Sequence, residues 1–276
     1  MAPAPRDPLF RCGDRGLLAR FLHRYQVDAD APRESVIDQC ARAFARIPYE
    51  NLTKIIKADS VVGPASALRL PDEVLADHLK WGTGGTCFSL TAALLAVFDA
   101  LGVEAQPLLA DRSYGEGTHC ALVVRHRGQA LLLDPGFLLY TPTPLPDAAI
   151  AVADLGYAAV ELRPVEGGNR IELATEIRGV RKVRLTYRRS PVDAAAFRRA
   201  WTDSFTWEMM TYPVLTRAAS GRHLYLQGAS AMVRTSERTV RSQLEAPAQI
   251  DFIGRHMGIA RAVVLRAWEV MHHGTA

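Results

Sequence analysis

Apolar residues recur at helical spacing near the start of the chain: Leu17, Leu18, Phe21, Leu22 and Tyr25, then Val36, Ile37, Cys40, Ala43, Phe44 and Ile47. This rhythm predicts two amphipathic helices within 15–46, parted by Asp28-Ala29-Asp30-Ala31-Pro32 and stopped by Pro48. A third helix, over 71–79, opens with Pro71-Asp72-Glu73, the proline and acids that helix N-termini prefer. A longer one starts at Cys87, shows Phe88, Leu90, Thr91, Leu94, Leu95, Phe98 and Leu101 on its apolar face, and stops at Gly102. From 103 the pattern turns to strands, over 103–109, 120–124, 130–133, 171–177 and 180–187. The proline-rich stretch 139–146 reads as an extended connector. Beyond Asp193 a helix (194–201), strands (223–226, 231–235) and a final helix (263–272) alternate, and no internal repeat is visible. The predicted class is α+β in three parts: helical 1–102, a β part 103–192 and a mixed α/β part 193–276.

Composition narrows the function. With 276 residues and 49% hydrophobic content, the chain has ample material for a core. Lys plus Arg number 33 against 29 for Asp plus Glu, an excess too small to argue for nucleic acid. The basic run Arg181-Lys182-Val183-Arg184-Leu185-Thr186-Tyr187-Arg188-Arg189 alternates as a strand with a solvated outer face does. Cysteines 12, 40, 87 and 120 form no CxxC pair and no regular ladder, so neither a metal site nor a disulfide framework is expected. A reducing cytoplasm suits them. The N-terminal stretch has no apolar signal region, and no run reaches the roughly 18 apolar residues of a membrane span, so no membrane association is expected.

The chemistry concentrates at Trp81-Gly82-Thr83-Gly84-Gly85-Thr86-Cys87-Phe88-Ser89-Leu90. Thiolate is the reactive form of cysteine, and a helix N-terminus lowers its pKa through the backbone N–H groups and the helix dipole. Gly84 and Gly85 allow a sharp turn that brings an acyl group near backbone donors able to hold a tetrahedral oxyanion. The alternative is a buried structural cysteine. Partners for a nucleophile lie in the predicted hairpin 118–134. A loop at His126-Arg127 sets His119 opposite Asp134; a loop at Arg127-Gly128 makes them diagonal neighbours on one face; a three-residue loop sends them to opposite faces. A carboxylate that holds an imidazole gives cysteine its base, so Cys87, His119 and Asp134 can form a triad, whereas the bland reading is a polar cross-strand pair. The other histidines, including His272 and His273 at the chain's end, have no comparable acid partner, and Cys12, Cys40 and Cys120 read as core residues.

Taken together these residues resemble the arylamine N-acetyltransferase family, which moves an acetyl group from acetyl-CoA to amines through a cysteine thioester. The resemblance rests on Gly84-Gly85-Thr86-Cys87-Phe88, Thr118-His119, Asp134-Pro135-Gly136-Phe137 and Ile47-Pro48-Tyr49-Glu50-Asn51-Leu52. Asp203-Ser204-Phe205 and Phe252-Ile253-Gly254-Arg255-His256-Met257-Gly258-Ile259 follow in the family's order, so almost the whole chain is covered. It implies a helical bundle carrying Cys87, an antiparallel β-barrel carrying His119 and Asp134, and an α/β lid, built around a papain- or transglutaminase-like Cys-His-Asp core. It further implies that Thr118, Gly136, Phe137 and Phe205 lie along the acyl-CoA and substrate cleft. Two positions depart from the family: Thr83 replaces an Arg before the glycine pair, and Ser89 replaces a Glu after Cys-Phe. Glu50 is thus expected to have lost the cation that this Arg supplies, with the active-site loop rebuilt.

The expected activity is N-acyl transfer from an acyl thioester, acetyl-CoA or similar, to a small-molecule amine, with no metal. The runner-up is an amide synthase of secondary metabolism that takes a larger acyl chain from CoA or an acyl carrier protein. A Cys-His-Asp amide hydrolase and a non-catalytic small-ligand scaffold are the readings of different class.

Overall fold

The computed structural model describes residues 7–177 and 179–272. The N-terminal stretch 1–6 and His273, both read above, lie outside the described residues.

The predicted N-terminal helices form, with one addition. Helix α1 (Arg15–Arg24) is capped by the Asp14 carboxylate, which accepts from the Leu17 N–H at 2.9 Å, and it buries Leu17 and Phe21. Helix α2 (Arg33–Phe44) buries Val36, Ile37, Cys40 and Phe44, the positions its rhythm marked. A two-residue strand β1 (Tyr49–Glu50) and an unforeseen helix α3 (Leu52–Ser60) precede α4 (Pro71–Trp81). Helix α5 (Cys87–Ala100) is buried on every side from Cys87 to Phe98, so it is the central helix of this part rather than an amphipathic one.

Eight strands form one antiparallel sheet: β2 (Ala105–Arg112), β3 (Gly115–His126), β4 (Gln129–Asp134), β5 (Leu139–Pro144), β6 (Ala151–Asp154), β7 (Ala159–Val165), β8 (Arg170–Ile177) and β9 (Val180–Arg188). Their order is β5-β4-β3-β2-β9-β8-β7-β6, and the edge strands β5 and β6 approach each other without pairing, which leaves a nearly closed barrel. The expected connector 139–146 is therefore corrected: most of it is β5, paired through Leu131↔Pro144 and Leu132↔Thr143. Its prolines are tolerated because β5 is an edge strand, where a missing N–H leaves no ladder position empty. The basic run is strand β9, with Arg181 paired to Glu161 and Glu172 on the exposed face and Leu185 and Tyr187 buried in the barrel core.

The C-terminal part opens with helix α6 (Ala194–Asp203) and a second antiparallel sheet of β10 (Val214–Ala219), β11 (Arg222–Gln227), β12 (Ser230–Arg234) and β13 (Thr239–Gln243). Helix α7 (Ala246–Phe252) runs through a π-helical turn, Ile253–Met257, towards α8 (Arg261–His272). Strand β1 completes this sheet by pairing with β10 through Tyr49↔Thr216 and Glu50↔Leu215. The N-terminal helices and the C-terminal sheet are thus stitched beside the residues that precede Cys87.

Candidate active site

Cys87 is the first residue of α5, after an N-cap residue, Thr86, with extended backbone (φ −78°, ψ 175°). Its thiol therefore stands at the positive end of a long buried helix. The glycines before it serve close packing rather than a left-handed turn. A Cβ on Gly84 would lie 1.8 Å from the Pro48 carbonyl oxygen, and one on Gly85 would lie 2.2 Å from Ser89 Oγ. The left-handed residue is Gly82 (φ 69°), which ends α4.

The expected loss of a cation at Glu50 is corrected by Arg69. Glu50 is fully buried and accepts from the Thr53 N–H (2.9 Å), Thr53 Oγ1 (2.5 Å) and the Gly84 N–H (3.2 Å). The Arg69 guanidinium lies 3.7 Å from the same carboxylate, donates to the Gly84 carbonyl at 2.5 Å and reaches Asp77 at 2.7 Å. The cation arrives from the segment ahead of α4, so Thr83 and Ser89 coexist with a braced loop. Ser89 itself donates to the Thr86 carbonyl at 3.1 Å.

His119 and Asp134 are both fully buried, with His119 Nε2 2.7 Å from Asp134 Oδ2. The hairpin turns at Arg127 (φ 49°) and Gly128 (φ 77°), the two positive φ values of a type I′ turn, and its register runs from His126↔Gln129 to Leu122↔Leu133. Of the registers considered, this is the one in which His119 and Asp134 are diagonal neighbours. Asp134 has further donors: Tyr187 Oη at 2.7 Å and the Phe137 N–H at 2.8 Å. Cys87 and His119 meet across Gly136, where a Cβ would lie 2.5 Å from Cys87 Cβ and 2.8 Å from His119 Cε1.

The electrostatics favour a thiolate. Cys87 is held well below the usual thiol range, first by the neighbouring Cys120 thiol, against the cost of burial, and then by His119 and the charge of Arg112. Burial pushes the Cys120 thiol well up, so it stays a neutral donor. Burial alone would lower His119, but the Asp134 carboxylate outweighs it and the imidazole is raised. Burial pushes Cys12 and Cys40 up to about 12, which makes both inert near neutrality.

Cys87, His119 and Arg112 line a cleft of about 590 Å³, together with Tyr49, Trp207, Tyr212, Thr216 and Tyr225. Thr118 and Gly136 line it as well. Phe137 and Phe205 do not: Phe137 packs against the barrel core, and Phe205 lies 4.2 Å beneath the Lys54 ammonium. Two cleft cations escaped the sequence reading. Lys54 is buried, donates to the Ser204 carbonyl (2.8 Å) and Oγ (2.6 Å), and is pushed down to about 7 by desolvation. Its only sequence signal is a Lys on the otherwise apolar start of α3. Arg112, at the end of β2, places Nη2 3.0 Å from His119 Nδ1, and the irregularity in register between Ala110 and Arg112 is what aims it inward. Among the described residues no cluster of His, Cys, Asp and Glu could hold a metal ion.

The comparisons with known proteins agree with this geometry at the level of fold. No protein-family model and no curated protein matches the sequence. Solved structures do match over nearly their full length. The arylamine N-acetyltransferase of Mycobacterium abscessus superposes with a TM-score of 0.81 at 20% identity, over 97% of this chain and 99% of that one. This chain has the arylamine N-acetyltransferase fold. The Nocardia farcinica arylamine N-acetyltransferase gives a TM-score of 0.78 at 19% identity, covering 97% and 98% of the two chains. A Bacillus cereus arylamine N-acetyltransferase, described as having a unique Cys-His-Glu catalytic triad, gives 0.69 at 16% identity, covering 90% of this chain and all of that one.

Proposed function

We propose that the protein is an N-acyltransferase that carries an acyl group on Cys87. The observation that carries this reading is a thiol of lowered pKa at a helix N-terminus, backed by the 2.7 Å His119–Asp134 pair and facing a cleft, in a fold shared with arylamine N-acetyltransferases over almost the whole chain. Asp134 orients the imidazole so that Nδ1 faces the cleft, and Tyr187 and the Phe137 N–H fix that carboxylate. While His119 is neutral, Nδ1 accepts from Arg112, which places the ring proton on Nε2. Arg112 and the thiol proton therefore compete for one lone pair, and Arg112 must yield it when His119 takes the proton.

In the first half-reaction the Cys87 sulfur bonds to the acyl carbon of a thioester, the bond to the donor sulfur breaks, and the proton held on His119 passes to that sulfur. In the second, an amine nitrogen bonds to the acyl carbon and the bond to Cys87 breaks. The amine proton passes through His119 to Cys87, which restores the thiol. Acetyl-CoA is the donor we assign, and a small aromatic amine the acceptor, since Trp207, Tyr212 and Tyr225 supply ring faces in the cleft. An amide hydrolase gains no support from a whole-chain match to transferases, and a passive scaffold has no use for a desolvated, activated thiol.

The division at 102 and 192 belongs to the same proposal, supported by the end of α5 at Ala100 and the start of α6 at Ala194. A cytoplasmic setting suits four free cysteines. Among the described residues no helix is long and apolar enough to cross a membrane. Turnover tests the reading: with acetyl-CoA and an arylamine, free CoA and acetylated amine should form together, and Cys87→Ala should abolish both. Hydrolysis of acetyl-CoA at a rate indifferent to the amine would refute it.

A further inference from the structure

A second cavity, of about 700 Å³, lies where α1, α2 and the end of α4 meet β10 and the π-helical turn, and it shares no lining residue with the catalytic cleft. Its walls carry Arg24, Arg42, Arg46 and Arg217, with Gln39 and His78, and among the described residues neither Asp nor Glu lines it. Several arginines elsewhere, among them Arg69, Arg170, Arg181, Arg188, Arg189 and Arg198, meet a carboxylate, whereas these four make no ion pair among the described residues. A formal net charge of only +4 for the whole chain makes four arginines facing one cavity a strong local excess.

The cations act on one another. Burial and then the charge of Arg46 lower Arg217, and burial pushes His78 down to about 4 with Arg217 and Arg24 adding to it. Arg24 ends α1 and Arg42 sits in the last turn of α2, positions that helix dipoles favour. Each helix end supplies roughly half a negative charge, well short of what four guanidinium groups require. Arg217 donates through Nη1 to the Met257 carbonyl at 2.9 Å, while its Nε is buried and has no hydrogen-bond partner among the described residues. A concave surface of one sign focuses its field, and planar guanidinium donors suit phosphate oxygens.

We propose that this cavity binds a phosphate-rich anion of the pyrophosphate class. Binding would bridge the N-terminal helices and the C-terminal sheet through β10. Consecutive strand residues face opposite ways, so Arg217 addresses this cavity while its neighbour Thr216 lines the catalytic cleft. Occupancy therefore has a direct mechanical route to one wall of the active site. The phosphates can belong to the acyl-CoA donor or to a free nucleotide or pyrophosphate. The donor case rests on the acyl-transfer reading; binding itself does not.

Calorimetric titration of the full chain with inorganic pyrophosphate at low salt tests this. Binding is expected, with Kd raised about tenfold or more in Arg217→Met and in the surface variant Arg46→Met, unchanged in Arg241→Met, and weakened by added salt. CoA then distinguishes the sources. If CoA displaces pyrophosphate and both variants raise KM for acetyl-CoA but not for acetyl-pantetheine, the donor's phosphates are the ligand. If pyrophosphate binds and CoA does not displace it, the ligand is a free anion. Absence of pyrophosphate binding, or equal binding by wild type and both variants, overturns the proposal. Failure of either donor to acylate Cys87 would count against the acyl-transfer reading alone, because the pyrophosphate titration does not depend on it.

Discussion

Gly136 shows how tightly the candidate triad is set. Its missing side chain is the space across which Cys87 and His119 meet, so Gly136→Ala must push one of them aside. Displacement of a reacting group by about 1 Å can cost on the order of a hundredfold, so single-turnover acylation of Gly136→Ala should fall by about that factor while its circular dichroism stays native. Reactivity towards iodoacetamide is a second readout at this scale. At pH 7 Cys87 should alkylate well before Cys12 and Cys40, which burial holds at about 12, and peptide mapping would show the order. The helix entry at Cys87 and the pairing of His119 with Asp134 were legible because helix entry and hairpin register are local properties of sequence. Arg112 and Lys54 were not legible, because a bulge aims the first and burial against Ser204 defines the second. Cys120 looked like a core residue and is one, with its thiol donating to Thr91 Oγ1 at 3.5 Å, yet it also helps hold the Cys87 thiol low.

Among the elements, the loop ahead of α5 depends on a strut from a distant segment. Arg69 is nearly buried and ties Glu50, Gly84 and Asp77 together. Removing one partner of a buried pair leaves the other charge uncompensated, so Arg69→Met should destabilise the fold by about 3–5 kcal/mol in urea denaturation. Adding Glu50→Gln should recover part of that loss, whereas a purely packing role for Arg69 would give no recovery. The strut is not legible in the sequence, because the resemblance points to Thr83, where the family has its cation, and contacts spanning 8, 15 and 19 positions leave no periodic trace. The same limit hid β5: prolines that forbid a central strand are compatible with an edge, and edge status belongs to the sheet rather than the segment. Strand β10, with Thr216 and Arg217 between turn-like flanks, was likewise not foreseen, although it joins β1 to the rest of its sheet.

At the scale of the molecule, the order of helical, β and mixed parts was visible in the change of hydrophobic period along the chain, whereas the near closure of the sheet into a barrel and the stitching of β1 to β10 required coordinates. Stability should depend on pH through the buried His78 and the half-buried His223. Burial pushes His78 and His223 down to about 4, so between pH 4 and the ordinary value near 6.5 the unfolded chain binds protons that the folded chain refuses. Stability is therefore retained above that range and lost as pH falls through it. Urea midpoints should drop between pH 7 and pH 5, and drop less in His223→Phe. The most direct test of the central claim is the intact mass of the protein after brief exposure to acetyl-CoA without an amine. Wild type should gain about 42 Da on the peptide containing Cys87 and lose it when an arylamine is added, and Cys87→Ala should gain nothing. An unchanged mass with every acyl-CoA tried, or an adduct that persists in Cys87→Ala, would contradict the account.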